Sequence, residues 1–144
     1  PYTTLFRSVT FLGNYCSTRK KNIIVDCVYR PPNQNAAMFI DKFNNILSLI
    51  SKGNKHCYVM GDFNLNLLQY NHHVPTQEFI DSLFSHTFLP LISNPTHLTS
   101  SSATVIDNIF TNNLAHSVFS GIIIYDLSDH LPVFLPRARP WLWL

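Results

Sequence analysis

The chain has 144 residues and a formal net charge of +2, with 46% hydrophobic but only 12% charged residues. That length suits one domain or part of one, and typical soluble domains carry about 25% charge, so core-forming material is plentiful and solubilising charge scarce. There is no dense Lys/Arg stripe beyond Arg19-Lys20-Lys21, no apolar run near the ~20 residues of a bilayer span, no signal peptide, and no CxxC spacing among Cys16, Cys27 and Cys57, which excludes a polybasic binder, a membrane-spanning protein and a disulfide-stapled scaffold.

Residues 1–8 (PYTTLFRS) resemble translated cloning or adapter sequence and are set aside as a non-native leader; 9–135 form the domain, and 136–144 read as an unstructured or artefactual tail. Residues 22–29 are rich in β-branched side chains and predict a strand, stopped by Pro31-Pro32-Asn33. Phe39, Phe43, Ile46, Leu47 and Ile50 recur at helical spacing over 36–51, with Asn35 as N-cap and Gly53-Asn54 closing the helix. A strand at 56–60 follows. Strand, long helix and strand make a crossover unit.

A polar loop covers 65–75. Thr76 caps a second helix at 77–86 with Phe79, Ile80, Leu83 and Phe84 inward. A short strand is expected at 89–92, a Ser/Thr-rich loop at 94–104, and strands at 105–111, 118–125 and 132–135. Cys27 and Cys57 lie in apolar runs and read as core residues. The whole pattern is α/β.

Chemistry gathers at strand ends, where loops are open to solvent yet rigidly held. Gly61-Asp62-Phe63-Asn64 follows Cys57-Tyr58-Val59-Met60; Ser128-Asp129-His130 follows Ile122-Ile123-Ile124-Tyr125, which reads as buried strand. Asp62 can accept a proton from water and the Asn64 amide can donate to an anionic oxygen. Asp107 lies among apolar neighbours and needs a partner, for which His130 is the candidate. Asp129 offers a carboxylate to a hard cation such as Mg²⁺. Tyr29 and Arg30 can donate to a phosphate. These are parts for metal-assisted phosphodiester hydrolysis. His56, His72, His73, His86 and His97 sit in different elements without zinc-ligand spacing, and loop or surface positions are expected for them.

Taken in order, Tyr29-Arg30-Pro31-Pro32, Gly61-Asp62-Phe63-Asn64, Asn94-Pro95-Thr96-His97-Leu98-Thr99, Ile106-Asp107-Asn108-Ile109-Phe110-Thr111-Asn112 and Ser128-Asp129-His130-Leu131-Pro132-Val133 resemble the endonuclease/exonuclease/phosphatase superfamily. The set is most similar to the apurinic-type endonuclease domain of non-LTR (LINE-type) retrotransposon polyproteins, over about residues 22–134. The resemblance implies a DNase I-like four-layer α/β sandwich, two mixed sheets flanked by helices, here partial because the N-terminal third is missing. It implies that Asp62 handles the water or leaving group and Asn64 holds the scissile phosphate. Tyr29 and Arg30 contact phosphate, Asp107 orients His130, Asp129 sits beside Mg²⁺ (Mn²⁺ as the alternative ion), and Thr96 touches the substrate backbone. The implied partners are DNA and a reverse transcriptase domain of the same polyprotein, with no membrane and an intracellular, nuclear site of action.

The family's early Asn and its metal-binding Glu find no counterpart before Asn22, and the single glutamate, Glu78, lies after the Gly-Asp-Phe-Asn string. The expectation is therefore a truncated DNA-nicking module, inactive as this fragment. A decayed, non-catalytic retroelement fragment and a phosphatase or phospholipase of the same superfamily are the alternatives.

Overall fold

The computed structural model describes residues 23–53, 55–114 and 119–136. The 1–8 leader, Cys16, the Arg19-Lys20-Lys21 run and the tail after Pro136 lie outside them.

Strand β1 (Ile23–Tyr29) alternates: Val28 and Asp26 are buried, while Cys27 and Tyr29 are exposed. Cys27 is thus no core residue, because its position in the alternation turns it away from the face that carries Val28. Helix α1 (Ala36–Lys52) begins where Asn35 accepts a hydrogen bond from the Met38 N–H at 3.0 Å, and Gly53 closes it. Its buried stripe is Phe39, Ile40, Phe43, Leu47 and Ile50. Each such side chain contributes about 1.5–3 kcal/mol relative to exposure.

Strand β2 (His56–Asp62) returns parallel to β1, completing the expected crossover, and extends two residues beyond the predicted end. A 3-10 turn (Leu67–Gln69) then leads to α2 (Val74–Ser85). This helix starts earlier than its sequence suggests. His73 occupies the cap position, Pro75 stands in the first turn, and Thr76 is buried within the helix at 2.8 Å from His73 Nδ1. Thr76, Phe79, Ile80 and Leu83 form the buried stripe, so Phe84 falls beyond its edge and is exposed, contrary to expectation.

Strand β3 (Leu89–Pro90) is shorter than predicted. The Ser/Thr-rich segment, read as a loop, contains a small hairpin of β4 (His97–Leu98) and β5 (Ala103–Thr104). Its turn is closed by side-chain and backbone bonds between Thr99 and Ser102, which leave no hydrophobic alternation to read. Strand β6 (Asp107–Thr111) pairs antiparallel with both β2 and β3. Strands β7 (Gly121–Ile122) and β8 (Val133–Phe134) form a short ribbon. Ile123, Ile124 and Tyr125 are exposed rather than part of a buried strand, since the last paired residues are Ile122 and Val133 and only the Ile123 N–H reaches further, to the Pro132 carbonyl at 2.8 Å.

Among the described residues the main sheet has the mixed order β1-β2-β6-β3 and carries α1 and α2 against its core side. Phe39, Phe43, Phe63, Phe79 and Phe110 form one aromatic cluster there, with ring centroids 5.0–6.1 Å apart. No helix among the described residues is long and apolar enough to cross a membrane.

Candidate active site

Strand register lines up three of the expected residues. Tyr29 at the end of β1 pairs in register with Asp62 at the end of β2, and Asp62 pairs with Asp107 at the start of β6. They therefore form a row across one end of the sheet. Gly61, just before Asp62, has φ +149°, and a Cβ there would lie 1.8 Å from the Val28 carbonyl oxygen. Only glycine permits β1 and β2 to approach this closely at the site.

The turn after β2 is built around an anchor and a clasp. Phe63 is fully buried against Phe43, Phe79 and Phe110. Asn64 adopts a left-handed backbone, φ +48°, which asparagine tolerates well. Its backbone N–H donates to Asp62 Oδ1 at 3.0 Å, and its amide donates to Asp62 Oδ2 at 2.9 Å and to the Arg30 carbonyl at 2.8 Å. Burial pushes the Asp62 carboxyl up from the usual aspartate range, the Asn64 N–H pulls it down in part, and the neighbouring Asp107 charge adds to the rise.

Arg30 has a different position from the one its sequence suggests. It is only 4% exposed, and its guanidinium donates to the carbonyls of Phe63 (2.7 Å), Gln34 (2.7 Å) and Asn64 (2.6 Å). Each of its three nitrogens donates to a backbone carbonyl, so this buried arginine staples the turn. Tyr29, by contrast, is half exposed beside Asp62.

The Ser128-Asp129-His130 loop is docked on β4. Leu98 N–H donates to the Asp129 carbonyl at 2.8 Å, Leu131 N–H donates to the Thr96 carbonyl at 2.6 Å, and His97 and His130 form an isolated antiparallel bridge. This brings His130 Nδ1 to 3.0 Å from Asp107 Oδ2, the pairing expected from sequence. Asp62, Asp107 and His130 present ligand-capable atoms within 4.8 Å of one another. Thr96 is fully buried, and its hydroxyl accepts from the N–H groups of Asp107 (3.0 Å) and Ile106 (3.2 Å). Its side chain fixes the start of β6 and has no surface to offer a substrate.

Asp129 is exposed, with its Oδ2 at 3.1 Å from His97 Nε2 and its Oδ1 accepting from Ser128 Oγ at 3.2 Å. The bond to His97, then that to Ser128, holds its carboxyl below the usual range. His97, for which a loop or surface position is expected, stands part-buried in β4 beside Asp129; its place beside Thr96 in the Asn-Pro-Thr-His string is the signal that marks it. Asn66 was also missed: its side chain accepts from Val105 N–H at 3.0 Å and Leu68 N–H at 3.2 Å, tying the turn after β2 to the segment that leads into β6.

The arrangement supplies a carboxylate pair, an oriented imidazole and an ionised outer carboxylate. Oxygen donors of this kind suit a hard divalent cation.

Solved structures share the fold. The endonuclease domain of TRAS1, a telomere-specific non-LTR retrotransposon, superposes with a TM-score of 0.64 at 17% identity, over 81% of this chain and 56% of that one. The catalytic domain of Xenopus laevis APE2 gives 0.58 at 20% identity, over 85% and 52%. An endonuclease/exonuclease/phosphatase family protein from Leptotrichia buccalis gives 0.58 at 18%, over 81% and 49%. The chain thus spans about half the length of these structures. No curated protein sequence matches it significantly. At 17–20% identity these structural likenesses show a shared fold. The sequence model of the endonuclease-reverse transcriptase family matches residues 23–134, and the chain belongs to that family.

Proposed function

We propose that this domain hydrolyses a DNA phosphodiester bond, nicking the target of a non-LTR retrotransposon whose polyprotein also carries a reverse transcriptase. The Asp107–His130 contact at 3.0 Å carries this reading, because it fixes an imidazole beside a second carboxylate, Asp62, at one end of the sheet. Asp62, with its raised proton affinity, accepts the proton of the attacking water. Asp107 holds His130 in one tautomer, so that the far ring nitrogen faces the scissile phosphate. Tyr29 donates to a phosphate oxygen, and the Asn64 amide hydrogen now given to Asp62 is the one that turns to the phosphate. Asp129 would hold Mg²⁺ (or Mn²⁺), which when bound neutralises charge building on the phosphate and leaving oxygen.

The TRAS1 domain comes from a non-LTR retrotransposon, and the family joins endonuclease to reverse transcriptase; both support a nucleic-acid substrate, and the nicking reading takes it to be DNA. Glu78, the single glutamate, is exposed on α2 and belongs to neither cluster of metal-capable groups among the described residues. The chain alone is therefore expected to lack full activity. A plasmid-nicking assay with Mg²⁺ tests this, on the chain alone and on the chain extended at its amino terminus by a segment carrying the family's Asn and Glu. Nicking by the extended chain that is abolished by EDTA, by Asp62→Ala and by His130→Ala supports the proposal. Hydrolysis of inositol phosphates without any nicking would refute it.

A further inference from the structure

We propose that His97, Asp129 and His130 form a binding site for a borderline transition-metal ion, Zn²⁺ or its analogue Co²⁺, distinct in donor set from an oxygen-ligated Mg²⁺ site. The three residues present ligand-capable atoms within 4.8 Å of one another. Two imidazoles and one carboxylate are a donor set that binds zinc well and magnesium poorly.

Both rings are already oriented. The Nδ1 of His130 is held by Asp107 Oδ2 at 3.0 Å, and the Nδ1 of His97 lies 3.4 Å from Thr104 Oγ1. Each ring is thus fixed from behind by an oxygen, and the ion would bind at the two Nε2 atoms, replacing the proton that His97 Nε2 shares with Asp129 Oδ2. Metal-ligating histidines generally have this outer support, which sets the tautomer and raises ligand basicity. His97 Nε2 and Asp129 Oδ2 stand 3.1 Å apart, close to the separation of about 3.3 Å that tetrahedral zinc imposes on two ligands. The ring centroids of His97 and His130 are 4.6 Å apart. The backbone bridge between them, with the flanking bonds at Leu98 and Leu131, holds the two ligand-bearing segments together before any ion arrives. His97 and His130 are part-buried while Asp129 is exposed, so an ion can enter from solvent and keep a water or substrate oxygen as its fourth ligand.

A consequence follows that rests on the proposed function: zinc on His130 Nε2 removes the nitrogen needed at the phosphate, so zinc inhibits nicking. Binding itself does not depend on that reading. Titration calorimetry of the intact chain with Zn²⁺, and visible absorption of its Co²⁺ complex, test the site directly. The expected result is one bound ion, visible d–d bands, and no displacement by millimolar Mg²⁺. His97→Ala and His130→Ala are each expected to weaken binding at least tenfold. His97→Gln, which keeps a hydrogen-bond donor for Asp129 but no imidazole, is expected to weaken it as much, and circular dichroism confirms that each variant is folded. Absence of Zn²⁺ binding, or unchanged affinity in folded His97→Gln (which would place the ion elsewhere, as at His72 and His73), overturns the proposal. Failure of nicking with zinc binding intact counts against the hydrolytic reading alone.

Discussion

Arg30 and Asn64 hold each other reciprocally: Arg30 Nη2 donates to the Asn64 carbonyl at 2.6 Å, and the Asn64 amide donates to the Arg30 carbonyl at 2.8 Å. The turn that carries Asp62 is thereby locked to the end of β1, which carries Tyr29. With two further carbonyls on the same guanidinium, the arginine is a buried bracket for the site.

Arg30→Ala leaves three carbonyls without their donor. Charge-assisted bonds contribute about 1.5–3 kcal/mol each and are not additive, so a loss of about 3 kcal/mol is expected in urea unfolding. Arg30→Lys restores less than half of it, because a single ammonium cannot reproduce the fork. A stability unchanged in Arg30→Ala, with only substrate binding weakened, would return this residue to the role of phosphate donor.

Phe63 ties the turn after β2 to the aromatic cluster. Phe63→Ala is expected to cost about 3–5 kcal/mol, while Phe63→Leu, which refills most of the space, costs about 1.5 kcal/mol. Unfolding midpoints at equal slope in denaturant measure both.

Asp107→Asn keeps the shape of the contact with His130 but lets the ring take the wrong tautomer. Nicking by the extended chain is expected to fall about 10²- to 10⁴-fold in kcat with little change in KM. His130→Ala should match it, and the double variant should fall little further, because the two residues act as one unit. Additive losses would mean that they work separately.

Asp26 is buried on the core side of β1, and burial pushes its carboxyl up, partly offset by a bond from the Cys27 N–H. A raised acid favours the folded state only while protonated. That contribution is complete below the ordinary aspartate value of 3.8 and is lost as pH rises through the folded value. Asp26→Asn is therefore expected to raise Tm at pH 7, with the advantage shrinking to nothing as pH falls below 3.8. An advantage independent of pH would assign the effect to something other than this charge.

The hydroxyl of Thr96 accepts from two backbone N–H groups at the start of β6. Thr96→Val leaves both without a partner and is expected to cost about 1–3 kcal/mol. Nicking should fall with it, because the backbone amide of Asp107 loses the acceptor that fixes the start of β6. Thr96→Ser, which keeps the hydroxyl, should recover both readouts.

Sequence carried the βαβ unit well, because Asn35, the apolar stripe of α1 and the Pro31-Pro32 stop all act locally. It also carried the Asp107–His130 pair, since a carboxylate among apolar neighbours needs a partner. Arg30 was misread because its burial depends on a turn thirty-odd positions away folding over it. Ile123 and Ile124 were misread because hydrophobicity alone does not say whether a strand has a neighbour. His97 looks like a loop residue in the sequence, since its hairpin is held by hydroxyls and leaves no periodic trace.

Apart from its contact with Asp107, His130 is moored to the β4–β5 hairpin, a ribbon of only two paired rungs, through the bridge to His97 and the backbone amides of Leu98 and Leu131. So short a ribbon can fray without unfolding the sheet. Catalytic competence should then melt at a lower temperature than the aromatic core, and deuterium uptake at those two amides should track the disarmed fraction.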